Sequence, residues 1–284
     1  MAASIPASSP ARAQDGPVVV NCFDEAHETV KRIPAKDCKG RAISAAEAAE
    51  VRKRRQEYIQ KVLAKAPHSD VEGKRLERVG SGFFVAEDGS VLTSHHVVDG
   101  CSGVSVAPSF GEMALATDVV PFAEADLALL RTAVDPPGIA AFAEGTGSAV
   151  MGAGFLSGYP EQGMVSLSPL LTPVEILRHE SQTPRGPAIL VRGDVRKGNS
   201  GGPLLDTAGS VVGVVLAEVD SVGMYKVTGT AVPEVGFILP GDRAQRFLDA
   251  QGVEYQRSQR RPLQPAERML EDVRGYMVQV GCWN

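Results

Sequence analysis

Arg196-Lys197-Gly198-Asn199-Ser200-Gly201-Gly202-Pro203-Leu204 sets one serine among three glycines and closes near a proline. Such a stretch cannot lie inside a helix: glycine loses too much backbone freedom there, and proline lacks the amide hydrogen. It folds as a tight loop that presents Ser200. The backbone N–H groups of Gly198 and Ser200 can then converge on one point and stabilise an oxyanion forming beside the hydroxyl. Alone, the Gly-x-Ser-x-Gly pattern also fits an ordinary Gly-rich turn. A base and its orienting acid must therefore come from elsewhere in the chain.

The whole sequence is punctuated in the same way. Thirty glycines and nineteen prolines in 284 residues imply many turns, as short-stranded all-β folds require. Strands that fail to alternate with long helices argue against an α/β-hydrolase. Hydrophobic residues reach 43%, enough for a sizeable core. A net charge of -5 gives no reason to expect nucleic acid, and 5% aromatics argue against base-stacking platforms. No apolar run approaches the roughly 18–20 residues that cross a bilayer, so a soluble chain without a membrane span is expected.

The four cysteines, Cys22, Cys38, Cys101 and Cys282, include no C-x-x-C pair, which argues against a zinc site. An even number of scattered cysteines suits two disulfides in an oxidising compartment; four buried thiols in a cytosolic protein is the competing reading. Residues 1–13 end in Pro10-Ala11-Arg12-Ala13, an A-x-A-like cleavage signal, but no apolar stretch precedes it. The segment reads as the tail of a signal or as a plain leader. Export to the periplasm or secretion agrees with the cysteines.

Residues 14–75 form an N-terminal extension. Val18-Val19-Val20-Asn21-Cys22 is strand-like, and Cys22 with Cys38 suggests a small disulfide-closed loop, worth about 3 kcal/mol. Ser44 is a good N-cap, and Glu47 completes a capping box for a helix over 44–66 that Pro67 stops. Val51, Tyr58, Ile59, Val62 and Ala66 form its apolar stripe. Arg52 to Arg55 is a basic run, but the interspersed glutamates make it a solvated face.

From Val79 the period changes to that of strands. Gly80-Ser81-Gly82-Phe83-Phe84-Val85 leads to an Asp88-Gly89 turn, a strong hairpin signal. Val91-Leu92-Thr93 returns and ends at Ser94-His95-His96-Val97-Val98. Ala125-Asp126-Leu127-Ala128-Leu129-Leu130 embeds a carboxylate in an apolar strand, where it needs a partner. Val211 to Ala217 and Val235 to Pro240 are further buried strands. Gly241-Asp242 opens a helix over 241–251 with Ala244, Phe247 and Leu248 on its buried face, stopped by Gly252. A polar linker, Gln256 to Arg261, a helix from Pro265 to Leu270 and a strand-like tail from Met277 to Trp283 follow.

Together, Gly-x-Gly-Phe-x-Val, Leu-Thr-x-x-His-Val-Val, Asp-Leu-Ala-Leu-Leu and Gly-Asn-Ser-Gly-Gly-Pro-Leu resemble the trypsin-like serine peptidases, in particular their bacterial HtrA/Deg-like branch. The resemblance runs from about Val79 to Val253, without the PDZ domain usual in that branch. It implies an all-β fold with minor helices: two antiparallel six-stranded β-barrels, flanked by the N-terminal helical extension and a C-terminal helix. The peptidase domain would span 76–252, with barrel 1 over 76–140, barrel 2 over 141–240 and a tail over 253–284.

The same resemblance makes His96 the base, in preference to His95, Asp126 the orienting acid and Ser200 the nucleophile. The order His, Asp, Ser is the trypsin-like one. Gly198, Asn199 and Ser200 would form the oxyanion hole, and Leu216, Ala217 and Glu218 would bind the substrate backbone as an added strand. Asp194 lies where an acid could select Arg or Lys, or is an exposed acid; Leu216 and Ala217 would suit a small apolar side chain, which ranks first. A Cys282–Cys101 disulfide would tie the tail to barrel 1, although four cysteines allow three connectivities. The implied function is a serine endopeptidase acting on extended or unfolded polypeptides, with no metal or organic cofactor. The alternative is a latent or inactive trypsin-like binding module regulated by its N-terminal extension. Oligomeric state is not legible.

Overall fold

The computed structural model describes residues 18–24, 29–64, 71–109, 112–144, 151–161, 168–183, 186–218, 235–258 and 263–284. The leader, residues 1–13, lies outside the described residues. The chain divides into two compact units, Met1–Ala66 and Pro67–Asn284.

Unit 1 is more than a disulfide-closed loop. Strands β1 (Val19–Asp24), β2 (Thr29–Pro34) and β3 (Arg41–Ile43) form an antiparallel sheet in the order β2-β1-β3. Cys22 is bonded to Cys38, which clamps β1 to the turn after β2. Helix α1 (Ala45–Ala64) starts where Ser44 caps it: the Glu47 N–H donates to Ser44 Oγ at 3.1 Å. The Glu47 carboxylate instead takes Arg41 Nη2 at 2.7 Å, so only half of the expected capping box forms. Ala48 and Val51 are buried; the rest of the expected apolar stripe lies outside the described side chains.

Unit 2 is built from strands because its apolar residues come in short runs bounded by glycine. Its first half comprises β4 (Leu76–Phe84), β5 (Val91–Ser94), the single-turn helix α2 (His95–Val98), β6 (Gly103–Pro108), β7 (Ala114–Leu115), β8 (Asp118–Phe122) and β9 (Leu127–Arg131). The β4–β5 hairpin turns at Asp88-Gly89, where Gly89 takes φ +80° and the Ser90 N–H donates to Asp88 Oδ1 at 2.9 Å. The second half comprises β10 (Ala141–Ala143), β11 (Gly152–Gly158), β12 (Leu170–Thr183), β13 (Gly186–Arg192), β14 (Pro203–Leu205), β15 (Val211–Glu218) and β16 (Val235–Pro240). Helix α3 (Gly241–Ala250), β17 (Gln256–Ser258), helix α4 (Ala266–Tyr276) and β18 (Met277–Trp283) complete the chain.

The second half closes into a six-stranded barrel, β14-β11-β12-β13-β16-β15, sealed by the β14–β15 pairing. The first half is a curled half-barrel, and with the closed barrel it gives the expected two-barrel, trypsin-like architecture. The half-barrel is a seven-stranded sheet in the order β7-β6-β18-β4-β5-β9-β8. Its third strand is the last of the chain: β18 pairs with β4 (Val280↔Gly80) on one side and β6 (Val280↔Val106) on the other. Cys101 is bonded to Cys282, so the last strand is also tied covalently beside α2. Two further boundaries move. Gln256–Ser258, expected within a polar linker, forms β17 beside β10, and the C-terminal helix runs to Tyr276, past the expected Leu270.

Phe83, Phe84, Leu92, Leu127, Leu129 and Leu130 fill the core of the first half, and Phe142 meets Phe83 with ring centroids 6.2 Å apart. Leu156, Ile176, Ile189, Leu204 and Ile238 fill the barrel. The buried face of α3 is Ala244, Phe247 and Leu248, with Phe247 stacked on Phe122 at 5.2 Å. Two well-packed halves leave a seam, and the segments that carry His96, Asp126 and Ser200 lie along it.

Candidate active site

On the first half, β5 ends at Ser94 and α2 begins directly, because Ser94 keeps an extended backbone while His95 turns helical. Ser94 Oγ reaches across the seam and donates to the Val215 carbonyl at 3.0 Å. The imidazole of His96 is therefore carried on a short turn anchored at both ends. Asp126 follows a single 3-10 turn, Ala123–Ala125, with φ +55°, the only positive φ of a non-glycine among the described residues. Aspartate tolerates this left-handed conformation better than most residues, and such strain persists only where surroundings hold it.

What holds it is the histidine segment. The Asp126 carbonyl accepts the His95 N–H at 3.0 Å, Oδ1 accepts the His96 N–H at 2.9 Å, and Oδ2 lies 2.8 Å from His96 Nδ1. Asp126 is buried, so its carboxylate is tolerable only because these donors satisfy it. A carboxylate on Nδ1 keeps the proton there and leaves Nε2 as the acceptor. The His96 side chain is 39% exposed, so its other edge faces open space. His95 turns away: its Nε2 lies 3.7 Å from Asp99 Oδ1.

On the barrel side, the loop between β13 and β14 carries Ser200. Gly198 takes φ +89°, and a Cβ there would press into the Tyr159 carbonyl, so only glycine fits. The Lys197 carbonyl accepts the Glu161 N–H at 2.8 Å. In a trans peptide the C=O and N–H point in opposite directions, so this bond aims the Gly198 N–H away from Glu161. The Asn199 carbonyl accepts the Gly202 N–H at 2.9 Å and orients the Ser200 N–H by the same logic. Among the described residues, neither the Gly198 N–H nor the Ser200 N–H donates to a protein acceptor. Asn199 acts through its side chain as well as its backbone: its Oδ1 accepts the Arg196 N–H at 2.9 Å, and its own N–H donates to the Arg196 carbonyl at 3.1 Å.

The two halves meet at this loop. Ser81 N–H donates to the Ser200 carbonyl at 2.8 Å, and a Cβ on Gly201 would lie 2.7 Å from the Ser94 nitrogen. Ser200 Oγ donates to the Leu216 carbonyl at 3.3 Å; among the described residues it makes no hydrogen bond with His96. Leu216 sits at a register shift of β15, between Val215 and Ala217, which turns its carbonyl out of the ladder. Ala217 and Glu218 end the same strand, their side chains outside the described set. Asp194 stands apart. It is half-exposed and its Oδ1 binds Arg196 Nε at 2.6 Å. Among the described residues no group of three or more His, Cys, Asp or Glu could hold a metal.

Residues 80–214 match the family model of the trypsin-like peptidase domain. Those residues form a trypsin-like peptidase domain. The magnetosome formation protease MamE of Paramagnetospirillum magneticum is 30% identical over 186 residues, 62% of this chain and 24% of that protein. A probable periplasmic serine endoprotease DegP-like of Chlamydia trachomatis is 31% identical over 177 residues, 60% of this chain and 33% of that protein. The chain thus spans about a quarter to a third of the length of these relatives. The HtrA-type protease AlgW, solved with a decapeptide, shares the fold of this peptidase domain with a TM-score of 0.50 at 23% identity, over 60% of this chain and 50% of that chain.

Several residues of the peptidase domain escaped the sequence reading. Ser81 and Ser94 each bridge the seam through hydrogen bonds, and Glu161 holds the Lys197 carbonyl of the serine loop. Ser81 was visible only as the variable position between Gly80 and Gly82. Its signal was a small polar residue in Val79–Phe84, a stretch that is otherwise apolar or glycine.

Proposed function

We propose that Ser200, His96 and Asp126 act as the catalytic triad of a serine endopeptidase. The observation that supports this reading is the carboxylate of Asp126 on His96 Nδ1 at 2.8 Å, which leaves Nε2 free to accept a proton. His96 Nε2 removes the Ser200 hydroxyl proton as Oγ attacks the scissile carbonyl, then returns it to the departing amine. Water repeats the sequence on the acyl-enzyme, and the serine is regenerated. Gly198 and Ser200 donate their N–H groups to the oxyanion, while Asn199 shapes the loop.

The substrate is an extended or unfolded polypeptide that adds as a strand along Leu216 to Glu218. A small apolar side chain fits the specificity pocket better than a basic one. In support, the carboxylate of Asp194 is already neutralised by Arg196 at the surface. A periplasmic or secreted location is supported by the two disulfides and by the periplasmic description of the DegP-like relative.

One observation favours a second state of the same enzyme. The Ser200 hydroxyl on the Leu216 carbonyl is a resting rotamer, which must turn towards His96 before attack. A substrate strand competing for that carbonyl would release it. Catalytic hydrogen bonds are often unmade before substrate binds.

The test is hydrolysis of an unfolded polypeptide, such as reduced and alkylated casein, by the protein and by its Ser200→Ala variant. Fragments from the first and none from the second support the endopeptidase. Binding of casein without cleavage by either establishes the binding module instead.

A further inference from the structure

Ser81 lies on β4, fully buried, between two glycines that let the strand approach the seam. A Cβ on Gly80 would meet the Val97 side chain of α2 at 2.7 Å and the Ser200 carbonyl at 3.1 Å. Every polar group of Ser81 that faces this crowded space is used. Its Oγ donates to the Gly198 carbonyl at 2.5 Å and accepts the Tyr159 N–H at 2.9 Å. Its N–H donates to the Ser200 carbonyl at 2.8 Å, and its own carbonyl accepts Thr93 Oγ1 at 2.7 Å.

Four successive carbonyls of the loop are thereby held. Lys197 is held by Glu161 N–H, Gly198 by Ser81 Oγ, Asn199 by Gly202 N–H and Ser200 by Ser81 N–H. Two of the four depend on one residue, and that residue belongs to the other half of the domain. The space around the hydroxyl is tight: a Cβ on Gly158 would lie 2.9 Å from Ser81 Oγ and 2.7 Å from Asn199 Nδ2. Without the hydroxyl, the Gly198 carbonyl loses its buried donor, a cost that a rotated peptide would relieve. Rotation of the Gly198–Asn199 peptide displaces the two N–H groups on either side of it.

We propose that Ser81 is a positioning residue that keeps the Gly198 and Ser200 N–H groups aimed at the oxyanion. This rests on the endopeptidase reading above and names the residue of the first half that assembles its oxyanion site. Ser81 touches neither the nucleophile's side chain nor substrate; it acts through the loop backbone.

The experiment follows acylation by a fluorescent fluorophosphonate, separating the saturating inactivation rate from the probe's apparent affinity, with melting temperature measured alongside. The variants are Ser81→Ala and Thr132→Val. Thr132 is a matched control: its hydroxyl also donates to a carbonyl, Gly89 at 2.7 Å, and accepts a backbone N–H, Val134 at 3.2 Å, away from the loop. Ser81→Ala should lower the saturating rate about ten- to a hundredfold, with affinity within about twofold, since misplaced oxyanion donors cost rate. Thr132→Val should lower the melting temperature similarly and leave the rate unchanged.

A saturating rate within about threefold for Ser81→Ala, or an equal loss in Thr132→Val, overturns the proposal. If Ser81→Ala does not fold, Ser81→Cys carries the test, because its thiol fills the space but donates weakly. The same rate loss is expected, and an unaltered rate overturns the proposal. Failure of the unaltered protein to acylate at all would sink the endopeptidase reading itself, a result distinct from the others.

Discussion

Asp126 shows how much one residue can fix. Its left-handed backbone, its carbonyl and both carboxylate oxygens all serve the His95–His96 segment, so the acid orients the imidazole and closes the turn that carries it. Asp126→Asn keeps an acceptor for the His96 N–H but can present an amide donor to Nδ1, which stabilises the wrong tautomer. Peptide hydrolysis should fall by about four orders of magnitude in kcat, with the melting temperature changed far less. Steady-state kinetics beside a thermal melt separates the two. Gly198→Ala should be inactive for a different reason. Its Cβ would collide with the Tyr159 carbonyl at a φ that alanine resists, so the loop must move. Fluorophosphonate labelling should be lost while the barrel's circular dichroism is kept.

At the scale of elements, β18 is the least expected feature. A strand from the last residues pairs on both sides within the half that carries His96, and Cys282 bonds to Cys101 five residues past that histidine. Closing a loop across a sequence separation of 181 is entropically expensive in the unfolded chain. Cys282→Ser should therefore lower unfolding free energy by about 4–5 kcal/mol, read from urea denaturation in the absence of reductant. A midpoint that does not move would contradict this. Alternating Met277-Val278-Gln279-Val280 advertised a strand, but periodicity says nothing of which strands it joins. Partners some two hundred residues away are set by packing of the whole sheet. Short motifs were more legible because they encode local geometry. The Gly-rich run around Ser200 could only be a loop, and the resemblance singled out His96, the histidine of α2 whose Nδ1 meets Asp126. Helix α4 runs past Leu270 although Gly275 is a weak helix former, because Met269, Val273 and Tyr276 are buried along it. Ser81 was missed because a buried serine has no periodic signature and its partners come from the other half.

For the whole molecule, pH reports on burial. Burial raises the Tyr276 phenol well above its ordinary value near 10, with the Asp272 charge adding to it, and desolvation likewise raises Tyr255. A folded-state pKa above the unfolded one means the unfolded chain releases its proton first. The stabilisation is complete below about pH 10 and is lost as pH rises towards the folded value. Chemical denaturation should show a stability flat in this contribution up to about pH 10, then falling by about 1.4 kcal/mol per pH unit from Tyr276. Tyr276→Phe should flatten that fall. Reductant should also lower the melting temperature, since both described disulfides close loops. Hydrolysis by this domain requires the imidazole and the serine to work as one unit across the seam. The direct measurement is intact-mass analysis with peptide mapping after fluorophosphonate treatment of the unaltered protein and of His96→Ala. One adduct on Ser200 in the first, and about a thousandfold slower modification or none in the second, is the predicted result. Equal modification of both, or an adduct on another residue, would contradict it.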